Sequence, residues 1–319
     1  MTEPLLHLDH VAVDIAGRRT LRDIVLRVPA AGSVGIVGET GSGKSLTCRA
    51  VLGLLDRIGG KVVAGTATFD GNDLLALSKR QWQELRRHRI GFVPQASLGS
   101  LDPLMKVGGQ MKEAVRRIDG RDAAGDRCLE LLEAVEMPRP HEILDSYPHE
   151  LSGGMRQRIM IALALIGRPK LLVADEATTA LDVTVQRAIL ELLDRLRKEL
   201  HMALVLVTHD LGLVDSYCES TVVMYGGATV ERGPSVAVSG RPIHPYSAAL
   251  IAAQPSLSGA GERLAALPGT PPEPGEIEEG CAFAPRCAYA ADLCLAGHLD
   301  LEGAGPDREV ACRRKGVVG

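Results

Sequence analysis

Residues 33–58 read SVGIVGETGSGKSLTCRAVLGLLDRI, and the order of their three parts decides the fold. SVGIVG is a short apolar run without charge, as expected of a strand buried on both faces. GETGSGKS (38–45) matches G-x-x-x-x-G-K-[ST], and the apolar spacing of SLTCRAVLGLLDRI predicts a helix that starts as the glycines end. Strand, glycine-rich loop and helix together make a phosphate-binding unit. The backbone of Gly38, Glu39, Thr40, Gly41, Ser42 and Gly43 can bring N–H groups together around phosphate oxygens. Lys44, Ser45 and Leu46 then open a helix whose positive end favours an anion. Lys44 is placed to reach the β- and γ-phosphates, and the Ser45 hydroxyl to ligate Mg²⁺. A glycine-rich turn that happens to fit the pattern is the competing reading, and by itself the loop specifies only a nucleoside triphosphate.

Upstream, LHLDHVAVDI and LRDIVLRVPAAG alternate in the manner of antiparallel strands. Downstream, VVAGTATFDGNDL reads as another strand pair, SKRQWQELRRHR as a charged helix, and IGFVPQ as a strand ending in a loop at Gln95. From about residue 96 the chain turns polar and helical, with RCLELLEAVEM as its clearest amphipathic segment, which predicts a helical subdomain inserted at about 96–160. KLLVADEA and ALVLVTHD are further buried strands, each flanked by helical patterns. Such alternation predicts an α/β fold with a mostly parallel sheet covered on both faces. After about residue 240 the composition shifts to Pro, Gly and Ala and the alternation stops, so 1–240 reads as a nucleotide-binding domain and 241–319 as a C-terminal extension. No internal repeat is visible.

Composition narrows the function classes. The 319 residues are 45% hydrophobic but only 3% aromatic, so the core must be built from Leu, Val, Ile and Ala, with Trp82 as the single tryptophan. A net charge of −4 argues against a dedicated nucleic-acid binder. The N-terminal stretch carries Glu3, Asp9 and Asp14 and has no secretion-signal pattern, and no apolar run reaches the ~20 residues of a spanning helix. Membrane association is therefore expected through a partner. Cys48, Cys128 and Cys218 stand apart in apolar surroundings, as reduced buried thiols of a cytosolic protein would.

Two further segments carry chemistry. LLVADE ends an apolar strand on Asp175 and Glu176; because a strand alternates its side chains, the first carboxylate can serve the Mg²⁺ shell and the second an attacking water. LSGGMRQR (151–158) places Ser152, Gly153 and Gly154 at the start of an apolar helix, a second anion-binding terminus for which one nucleotide in one subunit has no need. A head-to-tail dimer, in which this terminus closes on the partner's ATP, resolves that excess.

With GETGSGKS, Gln95 after a strand, LSGGMRQR, LLVADE, the ALD of residues 180–182 and His209 in LVTHD, all in this order, residues 1–240 resemble ATP-binding cassette (ABC) proteins. The resemblance implies the P-loop NTPase fold of that family: a RecA-like parallel core, an antiparallel β subdomain and an inserted helical subdomain. It implies Glu176 as catalytic base, His209 at the γ-phosphate and Gln95 at the water and Mg²⁺. Mg²⁺ would then be shared by Ser45, Gln95 and Asp175, with Asp182 at the dimer seam and Ser152, Gly153 and Gly154 acting in trans. Structural alternatives remain: Gln95 as a loop amide, Asp182 as a helix N-cap and His209 as a satisfied strand-end histidine. Where many members stack an aromatic ring on adenine, VDIAGRR offers Ile15.

YPHELSGGMRQR, DEATTALDVTVQ, MYGGATVERGP and HPYSAAL look specifically like the ATP-binding subunits of oligopeptide and dipeptide permeases. Two departures stand out: Ala177 where Pro more usually follows the catalytic Glu, and VPQASLGSLDP around Gln95. The branch implies an ATPase that drives import of peptides from the cytoplasmic face of the membrane. Its partners would be a second and different cassette, two integral membrane permease subunits and an extracellular solute-binding protein, with no nucleic acid. Nickel, glutathione or another small solute is the alternative cargo, and a soluble ABC ATPase outside transport the more distant alternative. The tail sets Cys281, Cys287, Cys294 and Cys312 in the spacing C-x5-C-x6-C-x17-C, with CAFAPRC resembling the branch's C-terminal module. Four thiolates can hold a [4Fe–4S] cluster or tetrahedral zinc; the resemblance implies the cluster, with zinc or metal-free thiols as alternatives.

Overall fold

The structure, a computed structural model, describes residues 3–95, 99–118, 124–177, 181–254, 267–277 and 279–318. In chain order the strands are β1 (Leu6–Ile15), β2 (Arg18–Val28), β3 (Ser33–Val37), β4 (Gly60–Phe69), β5 (Asn72–Asp73), β6 (Ile90–Val93), β7 (Leu171–Asp175), β8 (Ala203–Thr208), β9 (Ser220–Tyr225), β10 (Ala228–Pro234), β11 (Glu302–Gly303) and β12 (Glu309–Val310). The α-helices are α1 (Lys44–Val51), α2 (Lys79–His88), α3 (Val107–Ile118), α4 (Ala124–Ala134), α5 (Pro140–Asp145), α6 (Gly153–Ala164), α7 (Val183–Glu199), α8 (Leu211–Tyr217), α9 (Ser235–Gly240) and α10 (Pro245–Ala252). The chain divides into two compact units, Met1–Pro29 with Ser33–Ala76 and Leu206–Gly319, and Ala30–Gly32 with Leu77–Val205.

In the first unit the strand order is β5-β4-β1-β2-β10-β9-β3. The β1–β2 and β1–β4 pairs are antiparallel with register shifts, as the alternating N-terminal pattern predicts. The β3–β9 pair is parallel, Val34 opposite Ser220. Val34, Ile36 and Val37 are at most 1% exposed, which is why SVGIV is a charge-free run; each such side chain contributes about 1.5–3 kcal/mol by leaving water. The expected helix after the phosphate loop is shorter than its pattern. It ends at Val51, where Leu54 N–H donates to Arg49 O at 2.9 Å and Gly53 N–H to Ala50 O at 3.1 Å, with Gly53 at φ 61°. This Schellman stop overrides the apolar period, and Leu55–Ile58 continue as a 3-10 turn.

The tail is less of an appendage than its composition predicts. Strand β12 pairs antiparallel with β10, Val310 opposite Glu231. Beside it, Arg308 Nε donates to Glu231 at 3.2 Å, and Glu231, 0% exposed, also accepts from the backbone N–H groups of Ile243 and His244 at 3.0 and 2.9 Å. A buried carboxylate with this many donors is compensated.

The second unit holds β6, β7 and the first half of β8, with β7 between the other two. Strands β6 and β7 run parallel, Ile90 opposite Leu171 and Val93 opposite Ala174. Leu171–Asp175 are buried throughout. The charged helix predicted from SKRQWQELRRHR is α2, capped by Ser78 and Gln81 in a reciprocal capping box. Helices α3–α6 supply the helical content predicted after residue 96. Among the described residues no helix is long and apolar enough to cross a membrane.

Candidate active site

The phosphate loop leaves buried β3 at Gly38 and enters α1 at Lys44. Its last residue, Gly43, has φ 105° and caps the helix with no side-chain hydrogen bond. A Cβ there would sit 2.7 Å from Leu21 Cδ2, so glycine is required both by φ and by space. The first turn of α1 thus has no side-chain cap for its N–H donors. Lys44 is 5% exposed, and its Nζ donates to Gly38 O at 2.7 Å and Glu39 O at 2.9 Å. Ser42, 3% exposed, has an Oγ without a hydrogen-bond partner. Thr40 and Gly41 are exposed at the loop's tip, while Ser45 and Leu46 are half-buried.

In the second unit, register brings Gln95 and Glu176 together. Each lies two residues beyond a facing pair, Val93 and Ala174, and Gln95 Nε2 donates to Glu176 Oε2 at 2.5 Å. Glu176 adopts φ 45°, a left-handed conformation that costs a non-glycine residue about 1–3 kcal/mol and is concentrated at working sites. Asp175, one residue earlier on the strand, is 6% exposed.

The LSGG segment opens α6. Ser152 is its N-cap and accepts from Met155 N–H at 3.3 Å. Asp182 is likewise the N-cap of α7, accepting from Val185 N–H at 2.9 Å; Ala180 lies outside the described residues. The two starts pack through missing side chains: a Cβ on Gly154 would lie 2.7 Å from Val185 Cγ1, and one on Gly153 would lie 3.1 Å from Leu181 Cδ2.

His209 follows β8 in the first unit and is exposed. Its neighbour Asp210 caps α8, accepting from Gly212 and Leu213 N–H, and also accepts from Gln254 Nε2 at 3.3 Å. Ile15 ends β1, leaving the turn toward β2 without an aromatic ring.

Several residues beside the phosphate loop were not legible as site residues. Of five tyrosines and three phenylalanines, Tyr225, Tyr246 and Phe283 meet in one cluster, with ring centroids 4.5–5.3 Å apart. Tyr246 Oη accepts the backbone N–H of Glu39 at 2.7 Å, and the Glu39 carboxylate takes two hydrogen bonds from Arg286 at 2.6 and 3.1 Å. Burial raises the Tyr246 hydroxyl well above its ordinary pKa, so it stays neutral as an acceptor. The gathering of scarce aromatics into HPYSAAL, CAFAPRC and the end of β9 was the available signal.

Cys281, Cys287, Cys294 and Cys312 line one small cavity together with His244. All four are free thiols. Burial pushes Cys281 up to about 11 and raises Cys287 and Cys312 as well. Tyr289 N–H donates to Cys287 Sγ at 3.4 Å and Arg314 N–H to Cys312 Sγ at 3.3 Å. His244 Nδ1 accepts from Tyr246 N–H at 3.0 Å, its Nε2 has no partner, and burial lowers its pKa to about 3. Among the described residues there is no group of three or more His, Cys, Asp or Glu side chains placed to hold a metal ion.

A family model described as "ABC transporter" matches residues 21–179, and one described as "Oligopeptide/dipeptide transporter, C-terminal region" matches residues 230–294. The chain is 43% identical over 294 residues to the oligopeptide transport ATP-binding protein OppD of Salmonella typhimurium, covering 92% of this chain and 87% of that protein. It is 42% identical over 314 residues to the dipeptide transport ATP-binding protein DppD of Escherichia coli, covering 97% and 96%. Among solved structures, the ATP-binding cassette MJ0796, a dimer in a post-hydrolysis state bound to ADP and Pi, superimposes with TM-score 0.62 at 28% identity, covering 72% of this chain and 98% of that one. The cbiO1 protein of Clostridium perfringens, part of an ABC transporter complex, gives 0.67 at 26% identity, covering 75% and 92%.

Proposed function

This chain belongs to the ABC transporter family and has the ABC cassette fold, and from that premise we propose that it is the energy-coupling ATPase of an importer of oligopeptides or dipeptides. The observation that carries the reading is the extent of the likeness to peptide-transport ATP-binding proteins, which spans the cassette and the C-terminal extension alike. Deletion of this chain is expected to abolish uptake of a labelled oligopeptide or dipeptide, with uptake restored by the intact chain. Loss of nickel or glutathione uptake with peptide uptake intact would overturn the cargo assignment.

The chemistry asked of the residues is mainly positioning and charge. ATP phosphates take up the N–H donors of the loop and the uncapped start of α1, and Lys44 exchanges the Gly38 and Glu39 carbonyls for phosphate oxygens. Glu176 acts as general base on water, held by the hydrogen bond from the Gln95 amide. His209, exposed at its strand end, serves the γ-phosphate. Ser152, Gly153 and Gly154 present a helix start to the nucleotide of a second cassette, a different chain in the working complex, and Asp182 shapes the same seam. Mg²⁺ suits the hard oxygen donors assigned to it, Ser45, Gln95 and Asp175, and would neutralise phosphate charge. Two integral membrane subunits would hold the pair at the cytoplasmic face and receive cargo from an extracellular binding protein.

Four cysteine thiols lining one cavity are the donor set of a [4Fe–4S] cluster or of tetrahedral zinc, and of the two we assign the cluster. Zinc gathers four thiolates around one point, whereas a cubane spreads its four cysteines over separate iron corners. The four thiols line the same small cavity, and two of the sulfurs already accept backbone N–H groups, as the thiolates of such a centre do. Cys281, Cys287, Cys294 and Cys312 would hold it, and its chemistry would be structural, stapling a segment with little core of its own. Anaerobically purified protein is expected to carry iron and acid-labile sulfide in equal amounts; zinc alone in that preparation would sink the assignment.

A further inference from the structure

Glu39 is tied at three points. Its carbonyl accepts from Lys44, its N–H is held by Tyr246 Oη, and its carboxylate is gripped by Arg286, 247 positions away in the chain. The Arg286 side chain is 5% exposed and that of Glu39 24%. Every nitrogen of the guanidinium is engaged. Nη1 donates to Glu39 Oε2 at 2.6 Å and to Tyr225 Oη at 3.1 Å, Nη2 to Glu39 Oε1 at 3.1 Å, and Nε to Pro268 O at 2.7 Å. The cation also lies 5.7 Å from the centroid of the Tyr225 ring and 6.0 Å from that of Phe283. Arg286 ends a short 3-10 turn, Ala284–Arg286, immediately before Cys287. The hydrogen bonds from Arg286 raise its pKa beyond the usual arginine value, so the cation is permanent.

We propose that Arg286 is a positioning residue for the phosphate loop: through Glu39 it fixes the loop's outer edge and cancels a carboxylate that would otherwise oppose the phosphates of ATP. The inference rests on the reading that residues 38–45 hold ATP. Two physical points carry it. When Lys44 turns to a phosphate, Glu39 loses the contact on its carbonyl, and its place is then kept by Tyr246 and Arg286. A carboxylate beside a polyanion is repulsive unless neutralised, and a bidentate, buried guanidinium neutralises it while restricting its position. The cysteine-bearing extension therefore sets the affinity of a loop nearly 250 residues upstream of it.

The test is ATP titration into the full-length chain by calorimetry, with steady-state ATPase kinetics on the same preparations. Arg286→Ala is expected to weaken ATP binding about tenfold, the scale of one charge-assisted hydrogen bond, and to raise KM for ATP more than it lowers kcat. Adding Glu39→Gln to Arg286→Ala is expected to recover most of that loss, because the orphaned charge has been removed; a merely structural role for Arg286 gives no such rescue. Arg286→Lys, which keeps the charge without the planar fork, should fall between, and it tests the idea if Arg286→Ala does not fold. Lys44→Ala separates the two claims. If Lys44→Ala binds ATP like the parent, the loop assignment itself fails. If Lys44→Ala loses ATP while Arg286→Ala or Arg286→Lys binds like the parent, or Glu39→Gln gives no rescue, the positioning role is overturned.

Discussion

Helices α1 and α6 both begin on glycine-rich turns, yet they start in opposite ways. The first begins after Gly43, which offers no side chain to its N–H groups, and its opening residue, Lys44, is buried. The second begins after an exposed serine that has already capped it. A terminus without a side-chain cap turns its N–H dipoles toward whatever anion its own loop encloses. A self-capped, exposed terminus is complete by itself and becomes a ligand site when charge is brought to it from outside. Uncapped and capped starts thus separate the end we assign to ATP from the end we assign to a partner's nucleotide.

The sharpest way to break this comparison is chemical, because neither helix start supplies a base. Glu176→Gln is expected to bind ATP and to lower turnover by about 10²–10⁴-fold, read as phosphate release; an unchanged rate would move the base elsewhere. At the α6 start, Gly154→Val must displace Val185, since even the added Cβ falls 2.7 Å from Val185 Cγ1. Such overpacking is expected to cost about 1–3 kcal/mol in urea unfolding, and a stability equal to the parent's would mean that the two helix starts are not packed this way. The smallest effect is Ser152→Ala, expected to remove about 1 kcal/mol as the cap is lost. A thermal midpoint that does not fall would show that Ser152 does not cap α6, and the contrast with α1 would close.

How far the residues themselves announced this arrangement depends on the range of each contact. The phosphate loop, the buried strands and the N-cap alternative for Asp182 are local patterns, and all three are present. The premature end of α1 is also local, but Gly53 competes with an apolar period that continues past it, and the period gave the longer helix. Gln95 and Glu176 could be named singly; their meeting depends on the parallel register of β6 and β7, which neither segment encodes alone. The strained φ of Glu176 leaves no trace in residue type. Least legible was the grip of Arg286 on Glu39, a pairing across most of the chain: the sequence names Glu39 for its backbone in the phosphate loop, and nothing in it links the carboxylate to Arg286.

Strand β12 has a consequence for how this protein can vary. Val310 is 0% exposed opposite Glu231, Ala311 N–H donates to Val230 O at 2.9 Å, and Cys312 comes next. Because side chains alternate across a strand, adding or deleting one residue here would turn Glu309 inward and Val310 outward. The distance from the sheet to the last cysteine is therefore counted in whole residues by the ladder. Length changes should be rejected between Arg308 and Cys312.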